Sequence, residues 1–370
     1  MTQVSHPFAG PLAGIRVVEF AGLGPTPFAC MMLADLGADI IRLDRPGGPA
    51  MLAGDPRLDT LNRGRASVAL DLKSAEADAL VLDLCDKADV LIEGFRPGVM
   101  ERLGFGPDRL LAANPRLIYA RMTGWGQEGA LAQFAGHDIN YIAMTGGLHL
   151  IGPRDAPPPP PLNLIGDFGG GGMFAVAGIM AALIERQTSG LGQVIDVAMI
   201  DGTSLLLAQA HAWNEMGFWS DERGGNLLDG GAYFYRCYET LDGRFLAVGA
   251  IEKPFHDAFV TGLGISADEY SDHMDQSNWS TRSQSIAEII AGRNLADWME
   301  TFSNRDACVS PVLTLGEAIE HPYNVARSMF FEKAPAVAPR FSRSQVRVGQ
   351  PSLVGEGAEE ALARWGIAGD

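Results

Sequence analysis

Residues 16–43 read RVVEFAGLGPTPFACMMLADLGADIIRL, and this stretch decides the fold class. Arg16–Phe20 has the continuous apolar character of a buried strand, and Ala38–Leu43 repeats that character. Between them, a turn rich in glycine and proline leads into a helix predicted over Phe28–Leu36 and ended by Gly37. Two strands joined by a helix form a βαβ unit, which implies a parallel pair with a right-handed crossover.

The same alternation continues through the first half of the chain. Ser74 is expected to cap a helix, because apolar residues at helical spacing follow it. The other elements predicted in this half are strands at Ser67–Leu72, Val90–Ile92, Leu117–Ala120 and Val194–Met199, and a helix at Met173–Arg186. The sequence therefore predicts an α/β fold, whose large domain has a mainly parallel sheet with flanking helices.

The pattern changes in the second half. A helix is predicted over Gly202–Phe218, and from about Tyr233 the pattern is typical of an α+β domain. Asp242-Gly243 between two strand patterns is a strong hairpin signal. The predicted organisation is a large α/β domain, a linker helix, a smaller α+β domain and a return segment that packs on the large domain, over residues 1–200, 201–228, 229–316 and 317–370.

The composition indicates a globular protein of about two domains. Of its 370 residues, 47% are hydrophobic and 20% are charged, and the formal net charge of −17 disfavours nucleic acid and anionic membranes as partners. The N-terminus has no signal-peptide pattern, the apolar stretch Met173–Ile184 is shorter than the roughly 20 residues of a membrane span, and Ile367–Asp370 is not a peroxisomal address. We therefore expect a cytoplasmic protein without a membrane partner.

Two classes of cofactor are also disfavoured. The cysteines Cys30, Cys85, Cys237 and Cys308 are scattered without metal-ligand spacing, so we expect reduced thiols and no metal site. The turn Gly22–Pro27 resembles a dinucleotide loop only faintly, since it lacks a third glycine and its proline removes a backbone N–H.

Two short motifs carry the candidate chemistry. Gly136–Tyr141 reads GHDINY, and Gly166–Gly172 reads GDFGGGG. His137 and Asp167 are proton-transfer groups of different chemistry, which suggests a reaction that removes a proton from one face of a carbon and returns it to the other. We expect the glycines to give a sharp turn and a helix start with unpaired N–H groups beside Asp167. A helix cap for Asp167 and a structural role for His137 are the alternatives.

Other charged residues suggest the ligand and a supporting group. Glu252 follows the strand Phe245–Ala250, where its carboxylate could orient a histidine or simply be solvated. Basic residues recur near the ends of the predicted strands, namely Arg42, Arg45, Arg63, Arg65, Lys73, Arg96 and Arg102. Because the carboxyl ends of parallel strands line the ligand crevice, this placement predicts a polyanion such as a nucleotide.

Sequence motifs along nearly the whole chain resemble those of one family. They are residues 11–19 (PLAGIRVVE), 35–39 (DLGAD), 44–46 (DRP), 69–73 (ALDLK), 93–98 (EGFRPG) and 121–127 (RMTGWGQ), together with the two motifs above. The chain resembles the class III CoA-transferase family, also called the CaiB/BaiF family, and most closely its bacterial α-methylacyl-CoA racemase branch. This resemblance implies an interlocked homodimer, with each active site between one subunit's large domain and its partner's small domain.

The resemblance also implies roles for particular residues. His137 and Asp167 are expected to be the acid/base pair of an isomerase that epimerises 2-methylacyl-CoA thioesters through an enolate, with Glu252 of the other subunit holding His137. The expected contacts to CoA are Arg45, Leu70, Asp71, Leu72, Lys73, Gly94, Phe95, Arg96, Arg102, Gly136, Asp138, Ile139, Asn140 and Tyr141. No cofactor beyond the CoA moiety of the substrate is expected.

Two other functions remain open at this point. In a class III CoA-transferase, Asp167 would instead be a nucleophile that forms an anhydride and then an enzyme thioester. Such an enzyme needs no histidine opposite its nucleophile, so His137 favours the racemase. An inactive acyl-CoA-binding protein would have no reason to hold His137, Asp167 and Glu252 together.

Overall fold

The computed structural model describes residues 9–47 and 54–367, which form two compact units. Unit 1 comprises the described residues up to Thr145, Pro161–Leu207 and the residues from Ser328 onward, and unit 2 comprises Gly146–Pro160 and Ala208–Arg327. Residues 1–8 and 368–370, on which the signal-peptide and peroxisomal predictions depend, lie outside the described residues. The four-part domain division stays a prediction.

Unit 1 is built on a six-stranded parallel sheet. Its strands are β1 (Arg16–Phe20), β2 (Asp39–Asp44), β3 (Ala66–Ala69), β4 (Val90–Glu93), β5 (Ile118–Thr123) and β6 (Val194–Ala198). They lie in the order β3-β2-β1-β4-β5-β6, so that Val17 of β1 pairs with Ile40 of β2 and with Val90 of β4. The predicted α/β class is therefore confirmed.

Helices cover both faces of this sheet because its central strands are apolar on both sides. Val17 belongs to a core cluster with Leu33 of the first helix, and Val18 belongs to a second cluster on the opposite face. The helices of unit 1 are α1 (Pro25–Asp35), α2 (Ala75–Lys87), α3 (Val99–Arg102), α4 (Pro107–Ala113), α5 (Asp138–Met144), α6 (Phe174–Ser189), α7 (Met199–Leu206) and, beyond unit 2 in the chain, α14 (Ala358–Trp365).

The structure confirms one of two predicted helix starts and shifts the other. Ser74 caps α2 as predicted, since its hydroxyl accepts the N–H of Ala77 at 3.3 Å. Helix α1 begins at Pro25, three residues before the predicted start at Phe28. A proline suits the first turn of a helix, where its missing N–H would have no partner. The prolines that indicated a turn in the sequence are thus the first residues of α1.

The glycine-rich segment is helical, which corrects the sharp turn expected beside Asp167. A π-helix spans Leu164–Met173 and continues directly into α6. Its glycines permit close packing against α7, where a Cβ atom added at Gly202 would lie 1.9 Å from the carbonyl oxygen of Gly170. Side chains are therefore excluded from this contact by the distance between the two backbones.

This continuity also corrects the estimated length of the apolar stretch. Among the described residues, Leu164–Ser189 is one helix of 26 residues that is long and apolar enough to cross a membrane. Its inner side chains, including Ala175 and Ile179, are fully buried in the core of unit 1. The core helix of a globular domain meets the same criterion of length and composition, so the helix is weak evidence for a membrane span.

Unit 2 contains a three-stranded antiparallel sheet and short helices. Its strands are β7 (Tyr235–Glu239), β8 (Phe245–Gly249) and β9 (Val309–Pro311), and its helices are α8 (Ala208–Glu215), α9 (Lys253–Gly262), α10 (Trp279–Ile290), α11 (Leu295–Phe302), α12 (Leu315–Glu320) and α13 (Pro322–Ala326). The hairpin predicted at Asp242-Gly243 is confirmed by β7 and β8. The single helix predicted over Gly202–Phe218 is wrong, because α7 ends at Leu206 and α8 starts at Ala208. A short pair, β10 (Phe330–Phe331) and β11 (Ala334–Pro335), belongs to unit 1.

The backbone contact at Gly202 gives a stability prediction. Gly202→Ala should lower the free energy of unfolding by about 3 kcal/mol, because the new methyl group forces the π-helix and α7 apart. Gly178→Ala is the matched control on α6, where the added Cβ would meet only the side chain of Ile195, at 3.3 Å. The control should stay within about 1 kcal/mol of the wild type. Denaturation followed by circular dichroism tests this, and equal stability of the two variants would contradict it.

Candidate active site

Most of the predicted ligand residues lie at the carboxyl edge of the parallel sheet. The segments that follow the strands there are Gly22–Gly24 after β1, Arg45 after β2, Leu70–Lys73 after β3, Gly94–Arg96 after β4 and Gly124–Gly126 after β5. The connections reverse direction between β1 and β4, which makes a topological switch point. Ligands of open parallel sheets bind outside the carboxyl ends of the strands at such a point.

Four cations of this region are available to a ligand. Arg45, Lys73, Arg96 and Arg102 are all exposed. None of them makes an ion pair or a side-chain hydrogen bond with a residue that the structure describes. In a chain with a net charge of −17, four unpaired cations after neighbouring strands suit a ligand with several phosphates.

Three other arginines of the predicted basic set are buried instead, which corrects their expected role. Each forms an ion pair within unit 1, namely Arg42 with Asp44 (2.6 Å), Arg63 with Asp35 (2.5 Å) and Arg65 with Glu19 (3.3 Å). Burial raises the pKa of Glu19 and of Asp35, and the neighbouring guanidinium groups oppose that effect. These buried arginines therefore pair with carboxylates of unit 1 and do not face a ligand.

A buried carboxylate shapes the loop after β4. Glu93 accepts the N–H of Phe95 at 2.7 Å and the Nε–H of Arg121 at 3.0 Å. Burial raises the pKa of Glu93, while the bonds from Phe95 and Arg121 act in the opposite direction. Glu93 was not predicted as a site residue, yet its bond to the Phe95 N–H fixes the loop that carries Gly94 and Arg96.

His137 stands at the start of α5 with an exposed imidazole. Its backbone N–H donates to Oδ1 of Asn140 at 3.0 Å, and its carbonyl accepts the N–H of Asn140 at 2.8 Å. The backbone of His137 is therefore fixed while its ring remains accessible. The side chain of Asn140 has this local role, and Ile139 is 42% exposed. Their expected contacts to CoA stay predictions.

Asp167 lies in the π-helix and is half-buried. Burial raises the pKa of its carboxyl, and the negative charge of Asp138 adds to this, whereas the Asn163 amide and the charge of His137 oppose it. The amide Nδ2 of Asn163 lies 3.4 Å from Oδ2 of Asp167. A side chain at Gly24 would meet the same oxygen at 2.8 Å, so the glycine leaves room for this carboxylate.

Asp138 connects the two catalytic candidates. Its Oδ2 accepts the backbone N–H of Asp167 at 2.7 Å, and its side chain is buried. The other oxygen, Oδ1, is also buried and has no hydrogen-bond partner among the described residues. The residue after His137 therefore fixes the backbone position of Asp167. The N–H of Asp167 therefore has an acceptor, although unpaired N–H groups were expected beside this residue.

Tyr141 fills the space between the loop after β5 and α5. Its ring would clash with any side chain at Gly124 or Gly136, and it packs edge-on against Trp125 at 4.8 Å. Burial, together with the charges of Asp167 and Asp138, raises the pKa of Tyr141 to about 12. Its phenol is therefore protonated near neutral pH and lies within the electrostatic reach of Asp167.

Glu252 belongs to unit 2, where it precedes the first residue of α9 and is exposed. Its charge contributes, after burial and Asp306, to raising the pKa of Cys308. Cys308 lines an open pocket of about 800 Å³ within unit 2. Glu252 therefore lies close to this pocket, and its role toward His137 stays a prediction.

Sequence reasoning missed Asn163 and Glu93 as parts of the site. Asn163 precedes Asp167 by four residues, a spacing that brings side chains together only on a helix. The glycines concealed that helix because they lower helix propensity.

Among the described residues, no group of three or more His, Cys, Asp or Glu side chains could hold a metal ion. The site thus offers an accessible imidazole, a carboxyl with a raised pKa and a cationic rim, the name used here for Arg45, Lys73, Arg96 and Arg102.

Known proteins match this chain over almost its full length. It is 44% identical over 364 residues to α-methylacyl-CoA racemase of Mus musculus and 42% identical over 366 residues to that of Homo sapiens. Each alignment covers 96% of this chain and 94% of the relative. The crystal structure of a CaiB/BaiF family protein from Brucella suis matches with a TM-score of 0.81 and 27% identity, covering 96% of this chain and 100% of that one.

The family model described as CoA-transferase family III matches residues 12–354, which include every predicted site residue. This confirms the resemblance seen in the sequence motifs. The chain belongs to CoA-transferase family III, the CaiB/BaiF family.

Proposed function

We propose that this protein is an α-methylacyl-CoA racemase, an isomerase that epimerises 2-methylacyl-CoA thioesters at the α-carbon. The observation that carries the proposal is that two different acid/base groups lie within electrostatic reach of each other: His137, and Asp167, whose backbone bonds to the residue after His137. The two racemases of similar sequence support it. We also propose that the enzyme needs no cofactor beyond the CoA moiety of its substrate.

The reaction needs a base on one side of the α-carbon and an acid on the other. His137 removes the α-proton of one epimer, and Asp167 donates a proton to the opposite face; the roles reverse for the other epimer. Burial raises the pKa of Asp167 toward neutral pH, so that more of the carboxyl is protonated and able to donate a proton. A positioned acid or base contributes about 10²–10⁴ to the rate, so both are needed with a fixed geometry.

The intermediate carries negative charge on the thioester oxygen and needs hydrogen-bond donors. The N–H groups of Asp138 and Ile139, at the start of α5, have no acceptor among the described residues. They lie directly after His137 in the chain, so they are the candidates to receive the enolate oxygen. One such donor is worth roughly 10²–10³ in rate.

The cationic rim suits the phosphates of CoA. We propose that Arg45, Lys73, Arg96 and Arg102 bind them, because these four cations are exposed and unpaired among the described residues. In line with the family resemblance, we propose a cytoplasmic, interlocked homodimer that binds neither nucleic acid nor a membrane. In that dimer, Glu252 from the partner subunit would orient His137.

The alternative is a class III CoA-transferase with Asp167 as nucleophile. The half-buried carboxylate of Asp167 would serve that reaction as well. His137 favours the racemase, because its exposed ring is close enough to affect the pKa of Asp167 and a transferase has no use for it there.

Solvent isotope incorporation separates the two reactions. A single epimer of a 2-methylacyl-CoA, incubated with the protein in deuterated water without an acceptor acid, should become a mixture of epimers with deuterium at the α-carbon. Chiral chromatography and mass spectrometry measure both. The proposal fails if there is no exchange and CoA transfer begins once a free acid is added.

His137→Ala should abolish epimerisation, since one of the two proton carriers is lost. The loss should reach at least about 10² in kcat, with CoA binding within a few-fold of the wild type. The control is His211→Ala, a substitution on α8, which should behave as wild type. Chiral assay of the product and calorimetric titration with CoA make the measurement. Retained epimerisation would remove His137 from its assigned role.

Asp138 gives a prediction about pH and geometry. Asp138→Ala should lower kcat by roughly 10², because the backbone of Asp167 loses its acceptor. Asp138→Asn keeps an acceptor and removes a like charge, so the pKa of Asp167 should fall. In the direction in which Asp167 is the base, the acidic limb of the kcat/KM profile should then move to lower pH. A raised KM with an unchanged kcat in both variants would instead indicate that Asp138 only contacts CoA.

A further inference from the structure

The carboxylate of Glu252 has little to hold it within unit 2. The residue is exposed, and its side chain forms no hydrogen bond or ion pair with a residue that the structure describes. It also does not cap α9 through its side chain. The short link between β8 and α9 is therefore the part of the chain that sets where this side chain starts.

That link, Ala250–Glu252, is held by three hydrogen bonds to neighbouring segments. The N–H of Ala250 donates to the carbonyl of Phe234 at 2.8 Å, and the carbonyl of Glu252 accepts the N–H of His256 at 2.9 Å. The third bond comes from a side chain, because Nε2 of His273 lies 3.0 Å from the carbonyl oxygen of Ile251. A carbonyl only accepts, so His273 carries a proton on Nε2.

His273 is itself fixed on several sides. It is 92% buried, and its carbonyl accepts the indole N–H of Trp279 at 2.7 Å. Its ring stacks on that of His256, with centroids 4.4 Å apart and an angle of 22° between the planes, and it meets Phe234 edge-on at 5.3 Å. The Nε2–H group therefore has a defined direction toward Ile251.

The stacked partner, His256, is held in its neutral form. It is fully buried, its Nε2 lies 2.7 Å from the Tyr233 hydroxyl, and its Nδ1 lies 3.5 Å from Oδ1 of Asp257. Burial and the neighbouring His273 lower the pKa of His256 to about 4. A neutral ring is a suitable stacking surface, because a charged one would repel any charge on His273.

We propose that His273 is a positioning residue for Glu252, acting through its hydrogen bond to the Ile251 carbonyl while the His256 ring supports it from behind. The bond fixes the peptide between Ile251 and Glu252, and with it the direction of the Cα–Cβ bond from which the carboxylate extends. The inference depends on the proposed function only for the task of Glu252, which is to orient the catalytic imidazole. Neither histidine touches the substrate in this proposal.

Three variants separate the hydrogen bond from the packing. His273→Phe keeps an aromatic ring for the stack and loses the donor, whereas His273→Gln places an amide N–H near the position of Nε2 and is the matched rescue. His273→Asn has a shorter amide that does not reach Ile251, and it replaces the phenylalanine variant if that variant does not fold. We expect kcat for epimerisation to fall about tenfold in the variants without the bond, with KM within about twofold, and to recover in His273→Gln.

A double-mutant cycle with Glu252→Gln tests whether His273 acts through Glu252. In that background, His273→Phe should cause no further loss of kcat, because the carboxylate it positions is already gone. A full additional tenfold loss would show that His273 has a general structural role and would overturn the proposal. Failure of His273→Gln to restore activity, at wild-type thermal stability, would also overturn it.

Amide hydrogen exchange gives a measurement that does not require activity. In His273→Phe, exchange in residues 250–256 should rise at least about fivefold, with the remainder of unit 2 unchanged and His273→Gln close to wild type. Unchanged exchange in His273→Phe would overturn the positioning role. If exchange rises as expected but even the wild type does not epimerise any 2-methylacyl-CoA, the proposed function is wrong and the positioning of Glu252 stands.

Discussion

The hydrogen bond from the Asp167 N–H to the Asp138 carboxylate is the constraint on which the candidate site depends. At 2.7 Å, this bond joins the start of α5 to the π-helix, although the two residues are 29 positions apart in the chain. It brings the residue after His137 against the backbone of Asp167, and it places a second negative charge near that carboxyl. The close packing at Gly170 and Gly202 holds the other side of the π-helix. Backbone contacts therefore fix where the two acid/base residues leave the chain, whereas the ring of His137 stays exposed.

Burial divides the basic residues of unit 1 into two groups. Arg42, Arg63 and Arg65 neutralise carboxylates inside the protein, where an unpaired charge would cost several kcal/mol. Arg45 and Arg96 are exposed after β2 and β4 and make no ion pair among the described residues. All five look alike in the sequence, and all occur near strand ends. Only the exposed arginines can contribute to a site that binds an anionic ligand.

Unit 2 holds the backbone around a carboxylate that has no direct partners among the described residues. Glu252 has no side-chain hydrogen bond among the described residues, yet His273 and the N–H of His256 hold the backbone on either side of it. The aromatic cluster around Phe234 supplies the rigidity for this arrangement. The backbone that carries this exposed acidic group is therefore anchored to a buried cluster.

The sequence by itself determined the α/β class, the βαβ start, the β7–β8 hairpin and the family, because these follow from local patterns and short motifs. It also selected His137 and Asp167 as the chemical pair. Only the tertiary structure decided that the glycines of Gly166–Gly172 form a helix, that Asp138 binds the Asp167 backbone and that three of the predicted arginines are buried. The physical reason is that these features depend on contacts between segments distant in the chain. Local propensity disfavours a glycine helix, and only close packing against α7 makes it stable.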